Sequence, residues 1–207
     1  KDAHPPHSPI ITLEEAFMTS SNVGISKIVT KYFAKNPDRF VYHLSRFHLD
    51  KPYNIDIPGE GIPRIKKTKD KDWYGTTLHW MSIGYETLLT PLHILMLYNL
   101  VANNGSIVKP MFVEKIEYNG KTLKQFQTEI LSEKVLQPTT IKKAKQLLRS
   151  VVEKGTAKSL NITTFKVGGK TGTAQIAKKG KYYTNANDKT YLASFVGFFP
   201  LENPIYT

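Results

Sequence analysis

The stretch Gly168-Gly169-Lys170-Thr171-Gly172-Thr173-Ala174-Gln175 carries the reading on which the fold turns. Thr171 and Thr173 alternate with Lys170 and Gly172, the two-residue period of a strand. Gly172 leaves room for a second backbone to come close, so an exposed edge here can accept an extended chain as an added strand. A free backbone N–H at Thr173 then points to a carbonyl oxygen of that chain. Lys170 sets a positive charge beside the same edge. The charge favours a carboxylate terminus and eases proton loss from a neighbouring hydroxyl.

Working outward, the C-terminal part reads as β structure: 164–168, 170–176, and 191–199, which ends at Pro200. Before it, a helix from Thr139 or Thr140 carries Ile141, Ala144, Leu147, Leu148, Val151 and Val152 on one side and closes at Gly155. Residues 108–118 read as a strand, Asn119-Gly120 as a hairpin turn and 121–126 as its partner. Thr90-Pro91 opens the clearest helix, with Leu92, Leu95, Met96, Leu97 and Val101 inward and Gly105 past its end. Residues 50–80, with Pro52, Pro58, Gly59, Gly61 and Pro63, read as a long connection.

The N-terminal part is helical. Thr12 with Glu15 is a capping box for a helix through Met18. A second helix runs over 22–34 and buries Val23, Ile25, Ile28 and Val29 in part. Asn36-Pro37 starts a third, with Phe40, Leu44 and Phe47 at helical spacing. Pro5, Pro6 and Pro9 make the first ten residues an extended arm. Helices first and hairpin-connected strands last define an α+β fold with an antiparallel sheet flanked by helices, not alternating βαβ units. Pro204-Ile205-Tyr206-Thr207 reads as the opening of a further strand, so the domain is expected to continue past residue 207.

A length of 207 residues suits one domain or a large part of one, and a hydrophobic content of 40% excludes wholesale disorder. No stretch approaches the ~18 to 20 apolar residues of a membrane span; the best run, 92–102, is broken by His93, Tyr98 and Asn99. The opening Lys1-Asp2-Ala3-His4 is no signal peptide, so a membrane anchor is expected upstream if the parent protein has one. The absence of cysteine removes disulfides, thiolate metal sites and a cysteine nucleophile. A net charge of +12 favours anionic partners. Its clusters at 64–71 and 178–181 sit in glycine- or aspartate-punctuated stretches that read as solvated loops. No nucleic-acid motif or aromatic-interleaved basic stripe accompanies them. His4 and His7 are spaced i, i+3 with prolines between and no third ligand, so no metal or other cofactor is implied.

The chemistry lies in two motifs in fixed order: Ser20-Ser21-Asn22, then Lys170-Thr171-Gly172-Thr173. A hydroxyl at Ser20 can pass a proton, and the Asn22 carboxamide can both donate to and accept from a peptide. Taken alone, Ser20 or Asn22 reads as a helix cap and Lys170 as a surface lysine. Taken together, they read as parts of a serine acyl-transfer site. In the motif set that this order resembles, the nucleophile belongs to an S-x-x-K string at a helix start ahead of the S-x-N. The one such string, Ser106-Ile107-Val108-Lys109, lies after a helix end and runs into Pro110, so it does not qualify. Glu86 invites comparison with a deacylating carboxylate, but its Gly84-Tyr85 setting favours a structural role.

The set S-x-x-K, S-x-N and K-T-G belongs to penicillin-binding proteins and class A β-lactamases. The chain resembles the C-terminal part of the transpeptidase domain of a class B penicillin-binding protein of the division or elongation type. The likeness rests on 17–24, on Gly84-Tyr85 before Thr90-Pro91-Leu92, and on Asn104-Gly105 before Val108-Lys109-Pro110. Gly155-Thr156-Ala157, 168–175 and 193–200 extend it. The resemblance implies a penicillin-binding/β-lactamase-like transpeptidase fold over 1–207, incomplete at both ends. The S-x-x-K segment would lie upstream, and the final strand and helix downstream. It also implies that Ser20 relays a proton, Asn22 holds the substrate amide and Lys170 supports Ser20. Thr171 and Thr173, flanking Gly172, would bind the terminal carboxylate, with the Thr173 N–H in the oxyanion hole. Implied partners are peptidoglycan stem peptides, β-lactam antibiotics and a cell-wall synthesis complex, without nucleic acid. The implied location is the cell envelope, on the extracytoplasmic (periplasmic) side of the inner membrane. A β-lactamase or β-lactam sensor of the same fold, a basic nucleic-acid or lipid binding module, and a noncatalytic scaffold stand as alternatives. On the leading reading this polypeptide lacks the nucleophile and is inactive by itself.

Overall fold

The structure is a computed structural model that describes residues 2, 8, 10–162, 164–177 and 189–207. The arm's prolines, the His4–His7 pair and the lysine cluster at 178–181 lie outside the described residues.

Local capping chemistry sets the helical half. The Glu15 N–H donates to Thr12 Oγ1 at 3.1 Å and the Thr12 N–H to Glu15 Oε2 at 2.7 Å, the reciprocal box that starts α1 (Leu13–Met18). The chain then reverses through Thr19 and Ser20. Ser21 caps α2 (Asn22–Phe33) by accepting from the Gly24 N–H at 3.0 Å. Asn36 caps α3 (Pro37–Arg46), where Pro37 occupies a first-turn position that needs no N–H donor. Thr90 caps α5 (Pro91–Ala102) in the same way.

The reading of 50–80 as a plain connection is corrected. It contains β1 (Arg64–Ile65), paired antiparallel with β2 (Thr87–Leu88), and it leads into α4 (Thr77–Met81). The basic cluster beginning at residue 64 is likewise not simply solvated. Arg64 is paired with Asp72 at 2.9 Å, and Lys66 with Glu86 at 2.8 Å, which ties the residue after β1 to the residue before β2.

The strand expected over 108–118 is interrupted, because Pro110 has no N–H to give a ladder. Its first residue, Val108, joins Ile107 in β3 (Ile107–Val108), paired with an unforeseen strand, β6 (Ile130–Ser132). Its last residues form β4 (Lys115–Tyr118), in a hairpin with β5 (Lys121–Gln125) across Asn119-Gly120, both at positive φ. Next comes α6 (Pro138–Lys154), then the long hairpin of β7 (Gly168–Gln175) and β8 (Tyr191–Phe198). Residues 164–167 are not strand; β7 starts only at Gly168. Phe199 makes an isolated antiparallel bridge to Tyr206, where a further strand was expected to open.

The part of the core nearest β7 lies where α5, α6 and β8 meet. Ala102, Leu148, Phe198 and Leu201 form one buried cluster, with Phe17, Tyr98 and Val101 packed against it. Full burial of a side chain such as Phe198 contributes about 1.5–3 kcal/mol. Val151, Val152 and Ala157 form a second cluster that also contacts Phe17 and Met18. Phe17 therefore joins both clusters and clamps α1 onto α6. The inward face of α5 is corrected: the buried residues are His93, Met96, Leu100 and Ala102, with Leu92, Leu95, Leu97 and Val101 only half-buried. His93 is tolerated at 0% exposure because both ring nitrogens are engaged, with Thr90 Oγ1 at 2.7 Å and the Lys51 carbonyl at 3.0 Å.

Candidate active site

Two adjacent serines divide two tasks. Ser21 is buried and serves as the cap: its hydroxyl accepts from the Gly24 N–H and donates to Asp2 Oδ2 at 2.6 Å. Asp2 also accepts the Val23 N–H at 2.9 Å, so a carboxylate sits on the first turn of α2. Burial pushes the Asp2 carboxyl up, but the bonds from Ser21, Val23 and Asn22 outweigh it and hold it below its ordinary range. With the cap assigned to Ser21, Ser20 and Asn22 are left for other work. Ser20 is exposed and sits at φ 59°, a conformation that costs a non-glycine residue of order 1 kcal/mol or more. The exposed Asn22 carboxamide has no hydrogen-bond partner among the described residues.

Lys170 reaches across to this turn. Its Nζ donates to Ser20 Oγ at 2.8 Å and to the Thr171 carbonyl at 3.1 Å, and it lies 6.0 Å from the Phe17 ring centre. Burial between β7 and α1 holds its ammonium below the usual lysine range. The contact joins residues 150 positions apart and closes the two motifs into one cluster.

The strand β7 pairs with β8 along one edge, from Gly168↔Phe198 to Gln175↔Tyr191. No strand covers its other edge among the described residues, so alternate backbone groups there face away from β8. Thr173 is exposed on this strand, while Thr171 is half-buried, its Oγ1 lying 2.5 Å from Thr156 Oγ1. The glycines have a packing reason that the sequence did not give. A Cβ at Gly169 would stand 2.3 Å from the Phe195 ring, and one at Gly172 2.6 Å from Ser194 Oγ.

What holds the two walls at their spacing is the end of α6. The Thr156 N–H donates to the Met18 carbonyl at 3.2 Å, and a Cβ at Gly155 would stand 2.3 Å from that oxygen. Sequence reasoning used Gly155-Thr156-Ala157 only as part of a resemblance, and it had no signal for Asp2 or for Phe17 beneath Lys170.

Two clefts flank the cluster. One of about 310 Å³ runs from Asn22, Ser26 and Lys27 to His79, Trp80 and Ile83. Another of about 380 Å³ is lined by Trp80, Tyr85, Glu86 and Gln175, at the end of β7. A third cavity, about 570 Å³ along Lys142, Lys145 and Arg149 of α6, shares no residue with the cluster. The candidate site rests on this chemistry, not on volume. Glu86 is held by Lys66 Nζ and the buried Thr77 hydroxyl, both at 2.8 Å, in keeping with its structural reading. Ser106 precedes β3 and Lys109 follows it, paired with Glu129 at 3.7 Å, so this S-x-x-K string is not on a helix.

An α+β fold in which an S-x-N turn meets a K-T-G strand through a lysine–serine contact defines the class. The family described as the penicillin-binding protein transpeptidase domain matches residues 1–207, and the chain belongs to it. The class B resemblance and the fold class are borne out. The chain is 29% identical over 208 residues to penicillin-binding protein PbpB of Mycolicibacterium smegmatis, covering 94% of this chain and 30% of that protein. It is 29% identical over 198 residues to peptidoglycan D,D-transpeptidase FtsI of Buchnera aphidicola, covering 95% and 32%. Among solved structures it is similar to penicillin-binding protein 3 of Mycobacterium tuberculosis complexed with aztreonam. There the TM-score is 0.80 at 26% identity, covering 93% of this chain and 43% of that one. The chain thus spans about a third of the length of these curated relatives. Among the described residues no helix is long and apolar enough to cross a membrane.

Proposed function

We propose that residues 1–207 form two walls of the cleft of a peptidoglycan D,D-transpeptidase, with the acylated serine on a part of the polypeptide outside these residues. The observation that carries the reading is the 2.8 Å contact of Lys170 Nζ with Ser20 Oγ, made by a serine held at φ 59°. Backbone strain of this kind clusters where function demands it.

In the reaction, a stem peptide ending in D-Ala-D-Ala adds to the free edge of β7. Asn22 holds its amide, the Thr171 and Thr173 hydroxyls take its carboxylate, and the Thr173 N–H faces the oxyanion. The serine hydroxyl adds to the penultimate carbonyl. Its proton passes through Ser20, kept in place by Lys170, to the departing D-Ala amine. An amine of a second strand then displaces the ester, taking the acyl group and returning a proton to the serine. β-Lactams acylate the same serine but are not displaced by the amine. Residues 1–207 alone neither transfer acyl groups nor bind penicillin covalently.

The relatives' names support stem peptides and β-lactams as partners, and the cell envelope as the location. A cell-wall synthesis complex and an extracytoplasmic face of the inner membrane complete the proposal. The engagement of Glu86 by Lys66 and Thr77 favours this reading over a β-lactamase, which needs a carboxylate free to activate water. The test is to label the full-length protein with a fluorescent penicillin and map the modified residue by mass spectrometry. A single labelled serine outside residues 1–207 is expected. Labelling at a serine within them, or none at all, overturns the proposal.

A further inference from the structure

We infer that Thr156 is a positioning residue for the substrate carboxylate, acting through the Thr171 hydroxyl. The inference rests on the transpeptidase reading above. Thr156 is the point at which one residue bonds both walls: its N–H to the Met18 carbonyl at 3.2 Å, its Oγ1 to Thr171 Oγ1 at 2.5 Å. Its neighbours leave it little freedom. Gly155 abuts the Met18 carbonyl, and Ala157 is 1% exposed, with its N–H on the Val151 carbonyl at 3.1 Å.

A hydroxyl donates one hydrogen bond and accepts two. In a pair of hydroxyls at hydrogen-bond distance, one must donate to the other. If Thr171 spends its proton on Thr156, it has none for a carboxylate. When a carboxylate arrives and accepts a hydrogen bond from the Thr171 hydroxyl, Thr156 must turn donor, and its bond then polarises Thr171 toward the anion. Thr156 thereby fixes the direction of the Thr171 proton without touching substrate. A purely structural tie would need only the backbone bond to Met18, which a hydroxyl-free side chain leaves intact.

The experiment measures the second-order rate of acylation of the full-length protein by a penicillin and by the same penicillin with its carboxylate esterified. Thr156→Val should slow acylation by the free acid about tenfold, the upper scale of one neutral hydrogen bond, and leave the ester's rate within twofold. Thr156→Ser should restore the free-acid rate. In a Thr171→Val background, Thr156→Val should add less than about twofold. Equal loss for acid and ester, a full loss added to Thr171→Val, or no loss at all overturns the inference. Failure of the underlying reading is separately visible, because the unaltered protein would then not be acylated by either compound.

Discussion

Lys170 Nζ and Ser20 Oγ stand 2.8 Å apart although 150 positions separate them in the chain. The lysine comes from a strand whose edge is open and the serine from a turn whose cap is another residue, so neither side chain is consumed by the fold that presents it.

If these two groups move the proton as a unit, each single truncation should cost nearly as much as both. Ser20→Ala and Lys170→Ala in the full-length protein are each expected to lower penicillin acylation by roughly 100-fold. The double variant should fall less than about tenfold further. Multiplicative losses, read by stopped-flow labelling, would separate the two roles.

Burial of Lys170 has a pH signature. Its ammonium gives up its proton below the ordinary 10.5. Acylation that depends on the charged form should therefore decline on the alkaline side before pH 10.5, and Lys170→Arg should move that decline out of reach. The unfolded chain keeps the proton up to 10.5 while the folded one has released it. Folding stability should thus rise with pH between the depressed value and 10.5, a slope that Lys170→Met removes. Acylation rates and urea titrations at stepped pH test both.

Gly155→Ala places a methyl group against the Met18 carbonyl, a backbone atom that cannot swing aside. A loss of about 2 kcal/mol in denaturant unfolding is expected. Because α1 must shift to make room, acylation should fall as well. The control Gly75→Ala, where nothing lies within 4 Å, should leave acylation unchanged.

Asp2 should reveal itself in acid. Its carboxyl lies below the ordinary 3.8, so its support of α2 is present above that value and is lost as pH falls through the depressed one. Asp2→Asn should lower stability at pH 7 by about 1 kcal/mol or less, and the difference should shrink toward zero in strong acid. A melting-temperature difference that persisted unchanged at low pH would contradict this.

The legible features in the sequence are those written in neighbouring residues. Thr12 with Glu15, Asn36 with Pro37, Asn119 with Gly120 and the alternation through Thr171 and Thr173 all announced their elements, because caps, turns and pleats are local. The pairing of Ile107–Val108 with Ile130–Ser132 was hidden, since nothing local specifies a partner more than twenty residues away. His93 was hidden for a related reason: its burial depends on the Lys51 carbonyl, supplied by a distant loop. For the candidate site, order and spacing point to Ser20, Asn22, Lys170, Thr171, Gly172 and Thr173, yet do not say which serine is the cap. Only the Gly24–Ser21 bond decides that. Thr156 carried no signal of its own, because its meaning comes from what it touches on two other elements.

The contact of Gly155 and Thr156 with Met18 also makes the width of the cleft a matter of helix phase. Those residues lie at the end of α6, whose Pro138–Lys154 span fixes the direction in which they face. One residue inserted into α6 would rotate its end by about 100° and advance it by about 1.5 Å, swinging Gly155 away from the carbonyl it fits. The Asn119-Gly120 turn, which joins β4 to β5 away from this contact, is free to lengthen without altering the gap between Ser20 and Lys170. This helix is not free to do so: it works as a calibrated spacer whose count of residues is part of the chemistry.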